Sequence, residues 1–227
     1  MKNFFKNVYL FSELDDSELN AITALATTHH YSKHNVIVQE GERGEALYII
    51  LEGSVKISTY SPDGREVILS LLEAGSFFGE MSLLDKQPRS ANVTSLEATT
   101  VVQIRRKSFE QLLLKMPSIT IKLLTEVVRR LRRTSLILER ISTMDVPHRL
   151  YSYLQDFCEH FGVLENKKMR VRLPTHQLIA DQLSTTRETI SRAISSLKKE
   201  KIICPIANSR SVYIDMDAIE TLLLAMQ

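Results

Sequence analysis

The 227-residue chain has no tryptophan, few glycines and prolines, and only two cysteines, and the last scarcity bears on its class. Cys158 and Cys204 lie far apart without CxxC spacing. They therefore read as ordinary thiols rather than as a disulfide framework or a cysteine-ligated metal site. No apolar run approaches the ~20 residues that a membrane span requires. No charged start leads into an apolar stretch and a small-residue cleavage site, so the expected location is the cytoplasm, with no membrane partner. A composition that is 44% hydrophobic and 25% charged excludes disorder. The formal net charge of +2 is too small to imply a nucleic-acid partner by itself. The length suits two modest domains that need no metal or disulfide staple.

The positive charge is nevertheless local, with eight Lys/Arg against three Asp/Glu between Arg170 and Arg210. A solvated helix face and a DNA-contacting element both fit such a run.

The chain changes texture three times. Phe4 to Thr28 carries a helix signal: Ser12 or Asp15 as cap, acidic residues in the first turn, then Leu19, Ile22 and Leu25 at helical spacing. From Val36 short alternating runs take over (36–38, 46–51, 54–58, 66–71, 99–104), and six of the seven glycines fall among them. Pro62-Asp63-Gly64 between two of these runs predicts a hairpin turn, because proline presets the first corner and glycine supplies a positive φ. Closely spaced strands with glycine turns predict a β-sandwich or roll. After Pro117 the period becomes helical. Leu124, Val127, Leu131, Thr134, Leu138 and Ile141 recur at alternating spacings of 3 and 4, a seam that needs a partner helix. With cationic flanks at Arg129, Arg130, Arg132 and Arg133, it predicts a two-stranded contact in a homodimer. Thr134, with Ser135 beside it, interrupts the seam as either a register-fixing polar position or a ligand contact. Ser142 to Pro147 then breaks the pattern. Asp145 is placed to cap a new helix, around Arg149 to His160, that tolerates Pro147 in its first turn. The expected domains are residues 1–145, including a dimerisation helix over about 118–142, and residues 146–227.

Two stretches carry chemistry. In Gly75-Ser-Phe-Phe-Gly79-Glu80-Met81-Ser82, followed by Pro88-Arg89-Ser90-Ala91, a glycine opens into a short helical segment. Its backbone N–H groups and a returning arginine can together hold an anion, and a carboxylate is present for a ribose hydroxyl. A plain Glu80–Arg89 surface ion pair fits the same residues. In the second stretch, Thr175 caps one helix, Ser184-Thr185 forms a tight turn and Thr186 caps another helix. Ile179, Leu183, Ile190, Ile194 and Leu197 turn inward. Arg187, Glu188, Ser191 and Arg192 remain on the solvent side. Arginine pairs bidentately with guanine and glutamate accepts from the cytosine amine, so Arg187, Glu188 and Arg192 form a base-reading set. Thr186, Thr189 and Gln177 are placed to hold phosphates.

Phe-Gly-Glu, a short helical insert and Pro-Arg-Ser-Ala resemble the phosphate-binding cassette of cyclic-nucleotide-binding domains. The string Arg-Glu-Thr-Ile-Ser-Arg resembles the recognition helix of the catabolite activator and fumarate-nitrate regulator family of bacterial transcription factors. Together the motifs span nearly the whole chain in that family's order. The resemblance implies an α+β protein: a double-stranded β-helix (jelly-roll) sensor domain, a long dimerisation helix and a C-terminal winged helix-turn-helix.

It further implies that Glu80 bonds the ribose 2′-hydroxyl and that Arg89 and Ser90 hold the cyclic phosphate, with Gly79 and the Met81 and Ser82 backbone lining the pocket. Thr134 would contact the base within its own subunit and Ser135 would reach across the dimer, favouring cAMP as allosteric effector. Thr175 and Ser191 join the DNA-contacting set. The implied partners are palindromic double-stranded DNA, a second copy of the chain and RNA polymerase.

Two departures from the family pattern stand out. Ser184 replaces the usual turn glycine, and the N-terminal cysteine cluster of iron-sulfur members is missing. His29, His30 and His34 read as surface residues rather than haem ligands. The alternatives are a regulator of this family answering a different effector or none, and a cyclic-nucleotide-binding subunit that controls a partner protein. An enzyme is not expected, since no metal or nucleophile constellation is readable in the β region.

Overall fold

The computed structural model describes residues 2–64, 66–165, 167–207 and 209–226. The chain divides into two compact units, residues 1–132 and 133–227. That division lies inside a long helix, whereas the break in the sequence pattern lies at 145/146.

The first unit opens with two helices, α1 (Lys2–Phe5) and α2 (Asp16–Leu25). Asp15 and Glu18 close a reciprocal capping box at the start of α2. The helix stops at Leu25, and the next residues form β1 (Ala26–Tyr31) rather than more helix. All six pair antiparallel with the strand Thr99–Arg105. Alternation could not reveal Ala-Thr-Thr-His-His-Tyr as a strand because it has almost no apolar face. The remaining strands are β2 (Val36–Val38), β3 (Ala46–Glu52), β4 (Ser54–Tyr60), β5 (Glu66–Glu73), β6 (Phe77–Phe78), β7 (Asn92–Ser95) and β8 (Thr99–Arg105). They form two antiparallel four-stranded sheets, ordered β1-β8-β3-β6 and β2-β7-β4-β5.

The period-2 alternation of β3 decides what packs where. Leu47 and Ile49 join a core with the buried residues of α2 and of α4 (Arg106–Lys115). Ile50, offset by one, joins Val38, Val55 and Val93 of the other sheet. One sheet therefore has helices on one face and the second sheet on the other, the roll expected from the sequence. Each fully buried Leu or Ile contributes about 1.5–3 kcal/mol, and truncating Ile50 to alanine would cost about 2–5 kcal/mol. Between β6 and β7 sits the six-residue helix α3 (Glu80–Asp85).

The long helix α5 runs from Pro117 to Thr143. Ile121, Leu124, Val128, Leu131 and Leu138 are exposed on it, while Val127 is half-buried. Of the two neighbouring valines it is Val128 rather than Val127 that lies on the exposed series, while Thr134, Ser135 and Ile141 are all exposed.

The second unit contains α6 (Val146–Phe161), α7 (His176–Gln182), α8 (Arg187–Lys199) and α9 (Met216–Leu224). Its sheet has the order β11-β12-β10-β9, built from β9 (Val163–Glu165), β10 (Lys168–Val171), β11 (Ile203–Pro205) and β12 (Val212–Ile214). Asp145 caps α6 and Pro147 sits in its first turn, where a missing N–H costs nothing. Leu150 and Leu154 of α6, Ile179 and Leu183 of α7, and Ile190, Ile194 and Leu197 of α8 share one core. These buried positions fix the outward face of α8. No described helix is long and apolar enough to cross a membrane.

Candidate functional site: an anion cassette and a helix-turn-helix face

The cassette begins at Gly79, whose φ of +82° disfavours any side chain. A Cβ there would come within 2.6 Å of an Arg89 nitrogen. Glycine is thus needed both for the turn and for the close approach of the arginine. Arg89 is 6% exposed. Its Nη1 donates to the Gly79 carbonyl at 2.7 Å and its Nη2 to the Ala46 carbonyl at 2.8 Å. Its guanidinium carbon lies 5.7 Å from the centre of the Tyr48 ring, and Tyr48 stacks on Phe78 at 5.1 Å. Burial pulls the Arg89 pKa down, with the nearby Arg106 acting in the same direction and Tyr48 and Glu80 opposing it. The Glu80–Arg89 ion pair read as the plain alternative does not form, and among the described residues Arg89 has no carboxylate at ion-pair distance. A guanidinium has five N–H donors. Two are engaged by backbone here, so the others can receive an anion without surrendering them.

Glu80, 5% exposed, faces a different cation. Arg130 of α5 lies 3.0 Å from its Oε1 and also donates to the Phe77 carbonyl at 2.8 Å. It stacks over the Phe77 ring at 4.6 Å and meets Glu126 at 3.2 Å. The sequence reading missed Arg130 as a site residue because it lies 50 positions from Glu80, within a run of four arginines that all look like solvated flank. Ser82 is buried, while Met81 and Ser90 are exposed and in contact, Ser90 Oγ lying 3.7 Å from Met81 Sδ. Thr134 and Ser135 follow four and five residues after Arg130 on α5, both exposed. His29, His30 and His34 are not buried. Among the described residues no three His, Cys, Asp or Glu side chains gather as a metal-binding group.

In the second unit, the Thr175 hydroxyl caps α7 by accepting from Leu178 N at 3.2 Å. Thr186 caps α8 by accepting from Thr189 N at 3.2 Å, and its hydroxyl meets that of Thr189 at 2.9 Å. Between the helices, Thr185 N donates to the Ala180 carbonyl at 3.0 Å, a closing bond of the Schellman type. Ser184 therefore takes a φ of +51°. Another residue the sequence did not single out sets this turn: Arg149 of α6 donates to the Leu183 carbonyl at 2.7 Å. Arg187, Glu188 and Arg192 are exposed, and Ser191 is half-buried. Ser191 and Arg192 border a surface concavity with Ser195, Ser196 and Lys199, which extends the polar face along α8. Gln177 donates to Asp181 at 2.7 Å. Burial, then Lys198 and Arg187, pull the pKa of His176 below its ordinary value.

Comparison with known proteins finds one family match within each unit. Residues 28–116 match the cyclic nucleotide-binding domain family and residues 148–222 the Crp-like helix-turn-helix domain family. The chain is 33% identical over 190 residues to the CRP-like cAMP-activated global transcriptional regulator of Mycobacterium tuberculosis, a match covering 82% of this chain and 84% of that one. The crystal structure of the Thermus thermophilus catabolite activator protein is similar at 26% identity and a TM-score of 0.55, over 96% of this chain and 100% of the other. The c-di-GMP responsive global regulator CLP of Xanthomonas campestris shares the fold, with a TM-score of 0.75, 21% identity and coverage of 88% and 99%.

Proposed function

Because this chain belongs to the Crp family of transcription regulators, joining a cyclic nucleotide-binding domain to a Crp-like helix-turn-helix, we propose that it is a homodimer switched by cAMP between states of unequal affinity for palindromic DNA. The family is one of DNA-binding regulators, not enzymes.

The observation that carries the effector reading is Arg89. A buried guanidinium without a carboxylate counter-ion at ion-pair distance is stabilised by an arriving anion. A cyclic phosphate brings one, together with a ribose whose 2′-hydroxyl suits Glu80. Ser90, Gly79 and the Met81 and Ser82 backbone complete the phosphate side. The seam on α5 supports the division of labour between the two hydroxyl residues. Ser135 continues the exposed series Ile121, Leu124, Val128, Leu131, Leu138, the face a second copy covers, and is the residue that reaches across. Thr134, one position off, serves the base in its own subunit. Glu80 also holds Arg130, so a ribose bonded to Glu80 acts on the carboxylate that anchors α5. Ligand and helix can therefore be coupled, and the coupling is limited by the ligand's differential affinity for the two states.

On the DNA side, Arg187, Glu188 and Arg192 read base edges. Gln177, Thr186 and Thr189 hold phosphates, Thr175 and Ser191 belong to the same DNA-contacting set, and a two-fold dimer spaces its half-sites about 34 Å apart. RNA polymerase is the partner that the family implies.

Titration calorimetry of the nucleotide-free protein with cAMP, cGMP, AMP and c-di-GMP, beside an Arg89→Leu variant, tests the effector. Saturable cAMP binding that the variant loses, with tighter operator binding in its presence, is the expected result. Response to another nucleotide would reassign the effector. No response to any nucleotide would leave only the DNA-binding reading. Arg187→Ala should cost about 1–3 kcal/mol of operator affinity and relax base preference at one position.

A further inference from the structure

A second arginine holds the cassette through its backbone. Arg106 is the first residue of α4 and its side chain is only 18% exposed. Its Nη2 donates to the Gly44 carbonyl at 2.6 Å and the Ser82 carbonyl at 2.8 Å, and its Nη1 donates to the Leu83 carbonyl at 3.1 Å. Three backbone acceptors from two separate segments, the loop before β3 and α3, thus share one guanidinium. Glu110 at 3.6 Å and Glu45 at 4.0 Å are weaker partners. The Arg106 backbone N–H also donates to the Glu45 carbonyl at 2.8 Å, so the same residue ties the loop twice.

The two segments it joins are the walls around Arg89. A Cβ on Gly44 would come 2.3 Å from the Ser82 Cβ and 3.2 Å from the guanidinium carbon of Arg89. The loop therefore lies flush against α3, with Arg89 at the seam. A planar, multi-donor guanidinium suits three carbonyls arranged in this way better than an ammonium does. The two guanidiniums are also near enough for Arg106 to lower the pKa of Arg89.

We infer that Arg106 is a positioning residue of the anion site: it locks the Gly44 loop to α3 and thereby holds Arg89 where a cyclic phosphate meets it. The inference rests on the reading of this cassette as a cyclic-nucleotide site. Loss of Arg106 leaves three carbonyls without their donor and frees the two walls to separate. Arg89 then keeps its charge but loses its placement.

The test is calorimetric titration of the full-length protein with cAMP for the unsubstituted chain, Arg106→Met, Arg106→Lys and Arg89→Lys, together with the double variant Arg89→Lys/Arg106→Met. A stability control, Ile22→Ala, lies in the same core but outside the cassette. Arg106→Met is expected to weaken cAMP binding about tenfold or more. Arg106→Lys should recover part of the loss, and Ile22→Ala should leave affinity unchanged despite its lower melting temperature. The Arg106→Met and Arg89→Lys effects should be non-additive, since one acts through the other. Unchanged affinity in Arg106→Met, or strict additivity with Arg89→Lys, overturns this inference while leaving the proposed function standing. Failure of the unsubstituted protein to bind any cyclic nucleotide overturns both.

Discussion

The Glu80 carboxylate and the Arg130 guanidinium meet at 3.0 Å, so the acid proposed to bind a ribose is already bonded to the helix proposed to pair with a second copy. The pair is unequal, with Glu80 almost fully buried and the Arg130 side chain 28% exposed. Removing the arginine strands a buried charge, which costs more than the pair gains by forming. Arg130→Met should therefore lower unfolding stability by about 1–3 kcal/mol, a range reduced for solvent screening at Arg130. Glu80→Gln, which keeps an acceptor, should lower it less while weakening cAMP binding by about tenfold or more. The same variant should lose the preference for cAMP over its 2′-deoxy analogue. Urea denaturation and paired titrations check both; an Arg130→Met midpoint equal to that of the unsubstituted protein would refute the account.

The phase of the α5 seam separates two neighbouring valines. Val128 is exposed and in register with Leu124 and Leu131, whereas Val127 is half-buried against its own chain. Val128→Asp should weaken self-association about a hundredfold or more, because the charge enters the interface twice. Val127→Asp should instead destabilise the fold. Sedimentation velocity beside thermal unfolding distinguishes the two. A dimer that survives Val128→Asp unchanged would place the interface elsewhere.

These two cases show what was legible in the sequence. Gly79-Glu80, Arg89-Ser90 and the string from Thr186 to Arg192 are local signals, in which turn chemistry and helix caps sit within a few residues of one another. Asp145, Thr175 and Thr186 cap the helices expected of them for that reason. The Glu80–Arg130 bond, the Arg106 clamp and the bond from Arg149 to Leu183 join residues 50, 23 to 62 and 34 positions apart. No periodicity encodes such contacts. The sequence reading chose Val127, whereas Val128 is the exposed valine, because an alternation of 3 and 4 starting from Leu124 admits either. Burial decides between them, since Val127 is half-buried and Val128 exposed. The strand Ala26–Tyr31 stayed hidden because its partners, not its composition, make it a strand.

Ser184 holds a φ of +51° in the turn between α7 and α8, where a Cβ is unfavourable by roughly 1–2 kcal/mol. Glycine removes that strain but adds freedom to the unfolded chain, worth about 0.5–1 kcal/mol. Ser184→Gly should thus leave stability equal or raise it by up to about 1 kcal/mol, with DNA affinity retained. Ser184→Val, branched at the strained atom, should lower it by more than 1 kcal/mol or so. Chemical denaturation of the pair gives the answer; a stable valine variant would mean that the turn is not held in this conformation.

His176 gives the second unit a pH dependence of definite sign. Burial, Lys198 and Arg187 place its folded pKa below the ordinary 6.5. As the pH falls through that interval the unfolded chain takes up a proton that the folded chain resists. Stability is therefore fully present above the ordinary value and declines as the pH drops toward the folded one. His176→Gln should flatten this acid limb. Denaturation midpoints at neutral pH and near pH 5.5 should diverge less in the variant, and parallel curves would remove His176 from the account.

Because Arg89 has backbone acceptors but no carboxylate at ion-pair distance, the solvent's own anions should take part in the protein's behaviour. A buried cation without a carboxylate counter-ion attracts a small oxyanion as well as a nucleotide's phosphate, and whatever binds only the folded state shifts the folding equilibrium by mass action. Phosphate or sulfate in the medium should then raise the melting temperature of the empty protein and compete with the effector, while a zwitterionic amine buffer does neither. An affinity measured for this chain should therefore depend on the buffer's anion as well as on the nucleotide.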